Sequence, residues 1–195
     1  PVHIDLKKYF NCKILFSIGG IYKNTLNKFH NNLTNKEHYK YVNNSVIEQL
    51  KYCDIIFTNS ALTKDLLKKY HDTDCYLFYS NFINYYKKNY VNIPENIERK
   101  YEYGLIVSNF NRSIKNINNI IKFLKNKKNV ILIGENSDKY KSYGFTCVPF
   151  VEQNKILDYY RNIKYILQNS YYESCSNVKV EAFFSNCKII KNINE

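Results

Sequence analysis

Apolar residues along this chain fall into short runs set apart by amphipathic or polar stretches. KILFSI (13–18), DIIFT (54–58), CYLFY (75–79), YGLIVS (103–108), NVILIG (129–134), FTCVPFV (145–151), KYILQ (164–168) and CKII (187–190) read as apolar strands. The stretches between several of them have helical spacing. Residues 37–52 set Tyr41, Val42, Ser45, Val46, Gln49 and Leu50 along one side, and 61–70 turn Leu62, Leu66 and Leu67 inward. Residues 117–125 repeat Ile117, Ile120, Ile121 and Leu124 at three- and four-residue spacing, and 152–161 place Ile156, Leu157 and Tyr160 on one face. A last helix starts at Ser176 or Asn177 and ends near Ser185-Asn186. Asn59 or Ser60 caps the 61–70 helix, and Ser176 or Asn177 the last one, because such side chains accept from free N–H groups of the first turn.

Strands alternating with helices imply parallel pairing and an α/β fold. The pattern occurs twice, with an interruption at 84–102, which lacks clean periodicity and contains Pro94. The expected organisation is therefore a partial doubly wound domain over 1–83, a connection over 84–102 and a second doubly wound domain over 103–195. Neither Met nor a conventional start opens the chain at Pro1, so missing ends are expected.

Composition adjusts this picture only in part. The net charge of +12 raises nucleic acid or an anionic membrane as partners. Abundant Lys, Asn, Ile and Tyr look like A/T-rich coding, which would give the same charge, so dispersed solvated lysines are preferred to a basic groove. Six cysteines without a C-x-x-C pair read as reduced thiols, several in or beside strands. The four histidines show no metal-ligand spacing, so no metal site is expected. No apolar run reaches the roughly 18 residues that span a bilayer. Gly19-Gly20 after the first strand reads as a tight turn rather than a dinucleotide fingerprint.

Chemistry gathers where strands end, since ligands of such sheets bind outside the strands' carboxyl edge. Ser108, Asn109, Arg112 and Lys115 follow one strand, Pro149, Phe150 and Val151 another, and Glu173 with Ser176-Asn177-Val178 a third. Glu173 and Glu181 stand eight positions apart, one before a helix start and one in its first turns. Between them lie unpaired N–H groups and the positive end of a helix dipole, a natural seat for phosphate.

ESCSNVKVEAFFSNCKII (173–190) resembles the Glu–seven residues–Glu signature of retaining glycosyltransferases of the GT-B fold, particularly glycosyltransferase family 4. Glu173, Ser176, Asn177, Glu181, Ala182 and the strand Lys188-Ile189-Ile190 carry the match, while Ser174 replaces a common Gly. Asp54, Asn59-Ser60 and Asn81 resemble the end of that family's N-terminal domain. The resemblance covers about 103–190 and, less closely, 37–82.

It implies two Rossmann-like domains, the first incomplete, and transfer of a sugar from a UDP- or GDP-linked donor with retention of configuration and no cofactor or metal. It also implies the roles. Arg112 and Lys115, three apart where the family more often has five, would hold the diphosphate with the backbone of Ser176, Asn177 and Val178. Glu181 would accept from the ribose hydroxyls, Phe150 and Val151 would border the base, and Glu173 would be the catalytic carboxylate beside the sugar. The acceptor is left open among glycan, lipid and protein, nucleic acid being disfavoured. The implied location is the cytoplasm or, with peripheral membrane contact, its membrane face. Rival readings are a non-catalytic nucleotide-sugar binder, a basic α/β module that binds nucleic acid, and an epimerase of the same architecture.

Overall fold

The computed structural model describes residues 13–18, 47–78, 94, 97–171, 173, 176–191 and 193. Gly19-Gly20, most of the 37–52 helix, Asn81 and most of the 84–102 connection lie outside these residues, as do Cys12, Cys175 and Ser174. The chain divides into two compact units, residues 1–81 and 82–195.

The first unit has a sheet of three parallel strands in the order β1 (Leu15–Ile18), β2 (Ile55–Thr58), β3 (Tyr76–Leu77). Residues 47–50 are helical, and α1 (Ala61–His71) joins β2 to β3. Ser60 caps α1 by accepting from the Thr63 N–H at 3.2 Å. From that start the buried stripe runs through Thr63, Leu66 and Leu67, three and four residues apart. Leu62, expected inward, lies about 100° round the helix from Thr63 and is exposed. The Asp54 carboxylate accepts from the Ile14 N–H at 2.7 Å, tying the entries of β1 and β2 together.

The second unit is a five-stranded parallel sheet in the order β6-β5-β4-β7-β8, where β4 is Tyr101–Asn109, β5 Val130–Glu135, β6 Thr146–Val148, β7 Ile163–Leu167 and β8 Lys188–Ile190. The order runs outward in one direction from β4 to β6, then reverses through β7 and β8. This is the doubly wound pattern, and helices cover both faces. On one face α2 (Ile117–Leu124) buries Ile117, Ile120, Ile121 and Leu124 against Leu105, Val130 and Leu132. On the other, α3 (Ile156–Arg161) and α4 (Asn177–Phe184) bury Ile156, Tyr160 and Ala182 against Ile131, Ile133 and Ile166.

Several boundaries differ from expectation. β4 starts at Tyr101, which pairs with Ile163, so residues 101–102 belong to the sheet and not to a connection. β6 stops at Val148, where Pro149 has no N–H to offer the ladder. α3 begins at Ile156, because residues 153–155 form a turn. The segment Ser137–Tyr143, unassigned from the sequence, is a 3₁₀ helix.

The sheet carries an irregularity that matters for the site. The β4–β5 register shifts between Ile106 and Asn109. Opposite the shift, Gly134 has φ +139°, and a Cβ there would stand 1.7 Å from the Val107 carbonyl oxygen. Only glycine fits that approach. Elsewhere Gly144 takes the left-handed backbone at φ 78°, and so do Asp72, Asn116, Asn129, Asn136 and Asn186, with φ between 44° and 61°.

Arg99 precedes β4 and gathers the C-terminal ends of α3 and α4. Its Nη1 donates to the Tyr160 and Ile163 carbonyls, and its Nη2 to those of Ser185 and Asn186 at 2.9 and 3.2 Å. Cys187 Sγ accepts from Nη1 at 3.4 Å. A planar cation with several donors suits a place where two helices leave unpaired carbonyls and the negative ends of their dipoles. Burial pushes the Cys187 thiol up to about 11, with the neighbouring guanidinium opposing the rise. Cys53, Cys75, Cys147 and Cys187 are free thiols.

Candidate functional site

The reversal of strand order falls between β4 and β7, and a cavity opens there beyond their carboxyl ends. Leu105 to Ser108 and Leu167 to Ser170 form its floor, and Arg112, Lys115, Glu173, Ser176, Asn177 and Val178 its rim. Its volume is about 230 Å³. Sites enclosing a whole small molecule usually hold about 300–1,000 Å³, so this one suits part of a ligand, such as a diphosphate or a sugar ring.

The loop after β4 is held by its own polar groups. Asn109 Oδ1 accepts from the Asn111 N–H and from Asn136 Nδ2, and Asn109 Nδ2 donates to Glu135. Lys139 Nζ donates to Asn111 Oδ1 at 2.7 Å. The loop then tightens into a 3₁₀ turn, Ser113–Lys115, which ends in left-handed Asn116. This sets Lys115 over the cavity, while Arg112 donates to Ser108 Oγ at 3.3 Å. The Tyr171 N–H donates to the Ile114 carbonyl at 3.0 Å and so ties the loop after β7 to the loop after β4.

Across the cavity Lys115 Nζ meets Glu173 Oε2 at 2.5 Å, with both side chains about one-fifth exposed. The cation and the acid neutralise each other where water is partly excluded. Gln168, at the end of β7, donates from Nε2 to Glu173 Oε2 at 3.2 Å and to Ser176 Oγ at 2.8 Å. Ser176 caps α4, its Oγ also accepting from the Lys179 N–H at 3.3 Å. Asn177 and Val178 begin that helix, so no earlier helical carbonyl reaches their N–H groups, and both residues line the cavity. Cation, helix N-terminus and carboxylate therefore face one space. The arrangement can take up an anion and hold a hydroxyl-bearing group beside it.

Sequence reasoning expected Arg112, Lys115, Glu173 and Glu181 in one cleft. The first three line this cavity and Glu181 does not. Glu181 is 4% exposed and turned toward α3: its Oε1 accepts from Gln153 Nε2 and its Oε2 from the Tyr160 hydroxyl, both at 2.7 Å. Such a buried carboxylate needs donors on its oxygens, and Gln153 and Tyr160 supply them. Phe150 is exposed and Val151 packs against the core under α3; neither lines the cavity. Sequence reasoning missed the contacts of Gln168 and Gln153. A polar residue closing the apolar run of β7 was the available signal for Gln168, whereas Gln153 in a polar turn carried none.

Among the described residues no group of three or more His, Cys, Asp or Glu could hold a metal ion, and no helix is long and apolar enough to cross a membrane.

No protein-family model and no curated protein matches the sequence. Solved structures do. The chain is similar to a sucrose-phosphate synthase from Thermosynechococcus elongatus at 16% identity and TM-score 0.67, covering 97% of this chain and 52% of that one. It is similar to WaaG, a glycosyltransferase involved in lipopolysaccharide biosynthesis, at 12% identity and TM-score 0.62, over 97% of this chain and 62% of that one. An α-glucosyltransferase in complex with UDP-glucose and DNA containing an abasic site is 15% identical with TM-score 0.55, over 96% of this chain and 55% of that one. The chain thus spans between about half and three-fifths of the length of these structures. At such identities the likeness establishes architecture: the chain has the parallel α/β fold of the GT-B glycosyltransferases.

Proposed function

We propose that this chain belongs to a retaining glycosyltransferase of the family 4 type, contributing part of the acceptor-side domain (1–83) and the nucleotide-sugar domain (103–195). The observation that carries the proposal is the cavity at the strand-order reversal, where Lys115, Arg112 and the N-terminus of α4 meet Glu173.

In this reading the donor diphosphate sits between Lys115, Arg112 and the N–H groups of Asn177 and Val178. These positive groups stabilise the charge that grows as the sugar–phosphate bond breaks, an electrostatic role that calls for no metal ion or cofactor. Binding the diphosphate means that Lys115 shares its ammonium between Glu173 and phosphate oxygens. Glu173, released in part, faces the transferred sugar. The nucleoside extends past the rim of the cavity, where its ribose hydroxyls displace the Gln153 amide to reach Glu181, and Phe150 and Val151 border a uracil or guanine base. The acceptor is a glycan, lipid or protein, met in the cytoplasm or at its membrane face.

The test is calorimetry of UDP and GDP, with transfer kinetics from the corresponding sugar nucleotides, on the complete protein that carries this chain. Glu181→Ala is expected to weaken nucleotide binding by about 1.5–3 kcal/mol, the worth of hydrogen bonds to a charged group. Glu173→Gln is expected to lower kcat more than donor affinity, since its charge matters as the leaving group departs. Activity is expected to persist in EDTA. Should neither substitution change binding or turnover, the two glutamates are acids of the fold alone.

A second reading draws on the net charge of +12 and on a structural neighbour, the α-glucosyltransferase, that is in complex with DNA. It takes a nucleic acid as the partner. Binding that drops by about 10³–10⁵ between 50 and 200 mM salt, as contact with six to ten phosphates requires, would favour it.

A further inference from the structure

We infer that Gln168 is a positioning residue of this site, acting through Glu173 and Ser176; the inference rests on the sugar-transfer reading for its effect on turnover. One amide group, at the end of β7, donates both to Glu173 Oε2 and to the Oγ of the residue that caps α4. No other side chain among the described residues joins the candidate catalytic acid to the helix N-terminus that faces the ligand.

The orientation of that amide is informative. Its Oε1 is buried and finds no donor among the described residues. Turning the amide over would let Oε1 accept from the Ser176 hydroxyl, but would set two acceptor oxygens, Gln168 Oε1 and Glu173 Oε2, against each other. The arrangement leaves one buried acceptor unsatisfied so that Glu173 keeps a donor. Buried unsatisfied groups are uncommon and call for a reason; here the reason is the hold on the acid. A glutamate of the same shape could not serve, having no hydrogen to give when ionised.

The same contact decides what Ser176 can do. Its Oγ accepts from Gln168 Nε2 and from the Lys179 N–H, so both lone pairs are engaged. Toward a ligand in the cavity the hydroxyl can then only donate, which suits a phosphate or ether oxygen. Lys115 draws Glu173 Oε2 from one side and Gln168 draws it from the other. When a diphosphate takes part of Lys115's charge, Gln168 is the neutral donor that keeps the carboxylate in place.

The experiment uses Gln168→Met, close in shape but without polar atoms, and Gln168→Glu, each alone and combined with Glu173→Gln, in the complete protein. Donor binding is read by calorimetry with UDP and GDP, turnover by sugar transfer. Gln168→Met is expected to keep nucleotide affinity within about threefold while kcat falls at least about tenfold, and Gln168→Glu to be worse. In the Glu173→Gln background the effect of Gln168→Met on kcat is expected to shrink to less than about threefold, since the two residues act as one unit. Wild-type turnover in Gln168→Met, or an undiminished loss in the Glu173→Gln background, would overturn the inference. A urea-denaturation cycle on the wild type, Gln168→Met, Glu173→Gln and their double variant needs no substrate. If the wild type binds neither nucleotide, the transfer reading fails by itself; non-additive stabilities then uphold the Gln168–Glu173 contact, and additive ones remove it as well.

Discussion

Replacing Arg99 by alanine tests how the site's helix is anchored. α4 turns its N-terminus to the cavity and its C-terminus to Arg99, so a change at one end bears on the other. The side chain serves four carbonyls. Those of Tyr160 and Ile163 belong to residues with 0% exposure, where water cannot easily replace the guanidinium. Losing one partner of a buried acceptor that keeps another costs about 1 kcal/mol each, the low end of the usual range. The Ser185 carbonyl, in a residue with 0% exposure, counts with these two, whereas that of Asn186 lies nearer solvent and about 0.5 kcal/mol is a fair figure for it. The sum is roughly 3.5 kcal/mol. Arg99→Lys keeps the charge but reaches fewer acceptors with a compact ammonium, so about 2 kcal/mol of loss is expected. Native-state hydrogen exchange of the β7 and β8 amides reads this unit by itself. With a urea m-value near about 1.5 kcal/mol/M, Arg99→Ala should also lower the midpoint by about 2 M. Losses below about 1 kcal/mol for Arg99→Ala, or none for Arg99→Lys, would refute the reasoning.

Gly134→Ala is expected to cost more than about 3 kcal/mol, because backbone strain of about 1–3 kcal/mol adds to a Cβ that overlaps the Val107 oxygen. Gly144→Ala, also at positive φ but in open space, should lose only about 1 kcal/mol, and urea denaturation of the pair separates the two terms. The Cys187 thiol, held neutral by burial, contributes stability that is full below about pH 9 and is lost as pH rises through about 11. That rise from 9.0 corresponds to roughly 3 kcal/mol. Stability measured from pH 8 to 10.5 should therefore fall more steeply in the wild type than in Cys187→Ala, and equal slopes would remove the thiol from the account.

The sheet was legible because its strands are apolar on both faces: VILI in β5 and YIL in β7 admit little else once helices flank them. The caps were legible to within one residue, Asn59 or Ser60 and Ser176 or Asn177, and the hydroxyls of Ser60 and Ser176 take the role. What could not be read was direction within a helix. Glu181 lies one turn beyond Asn177, and sequence spacing alone sends both to the cavity. Tyr160, read as one more apolar position of α3, brings a hydroxyl that takes Glu181 elsewhere. The Lys115–Glu173 pair, 58 residues apart, depends on the strand order, which local pattern does not contain. Gln168 escaped for the same reason: its meaning lies in two neighbours that the chain reaches only after turning back.

The left-handed asparagines have a consequence for how such a chain is built at all. With only five glycines in 195 residues, it meets most positive-φ positions among the described residues with side chains that tolerate that backbone at some cost. Asn116, Asn129, Asn136 and Asn186 each sit where a helix begins or a strand or helix is entered or left, and glycine would relieve roughly 0.5–1 kcal/mol of strain at such places. A chain rich in asparagine and poor in glycine thus remains able to form a doubly wound sheet, because one amide residue substitutes for the missing flexibility. Two of these positions, Asn129 and Asn186, lie apart from the loop that Asn116 and Asn136 help to hold at the cavity, and are a reserve of thermal tolerance open to laboratory evolution without redesign of the core.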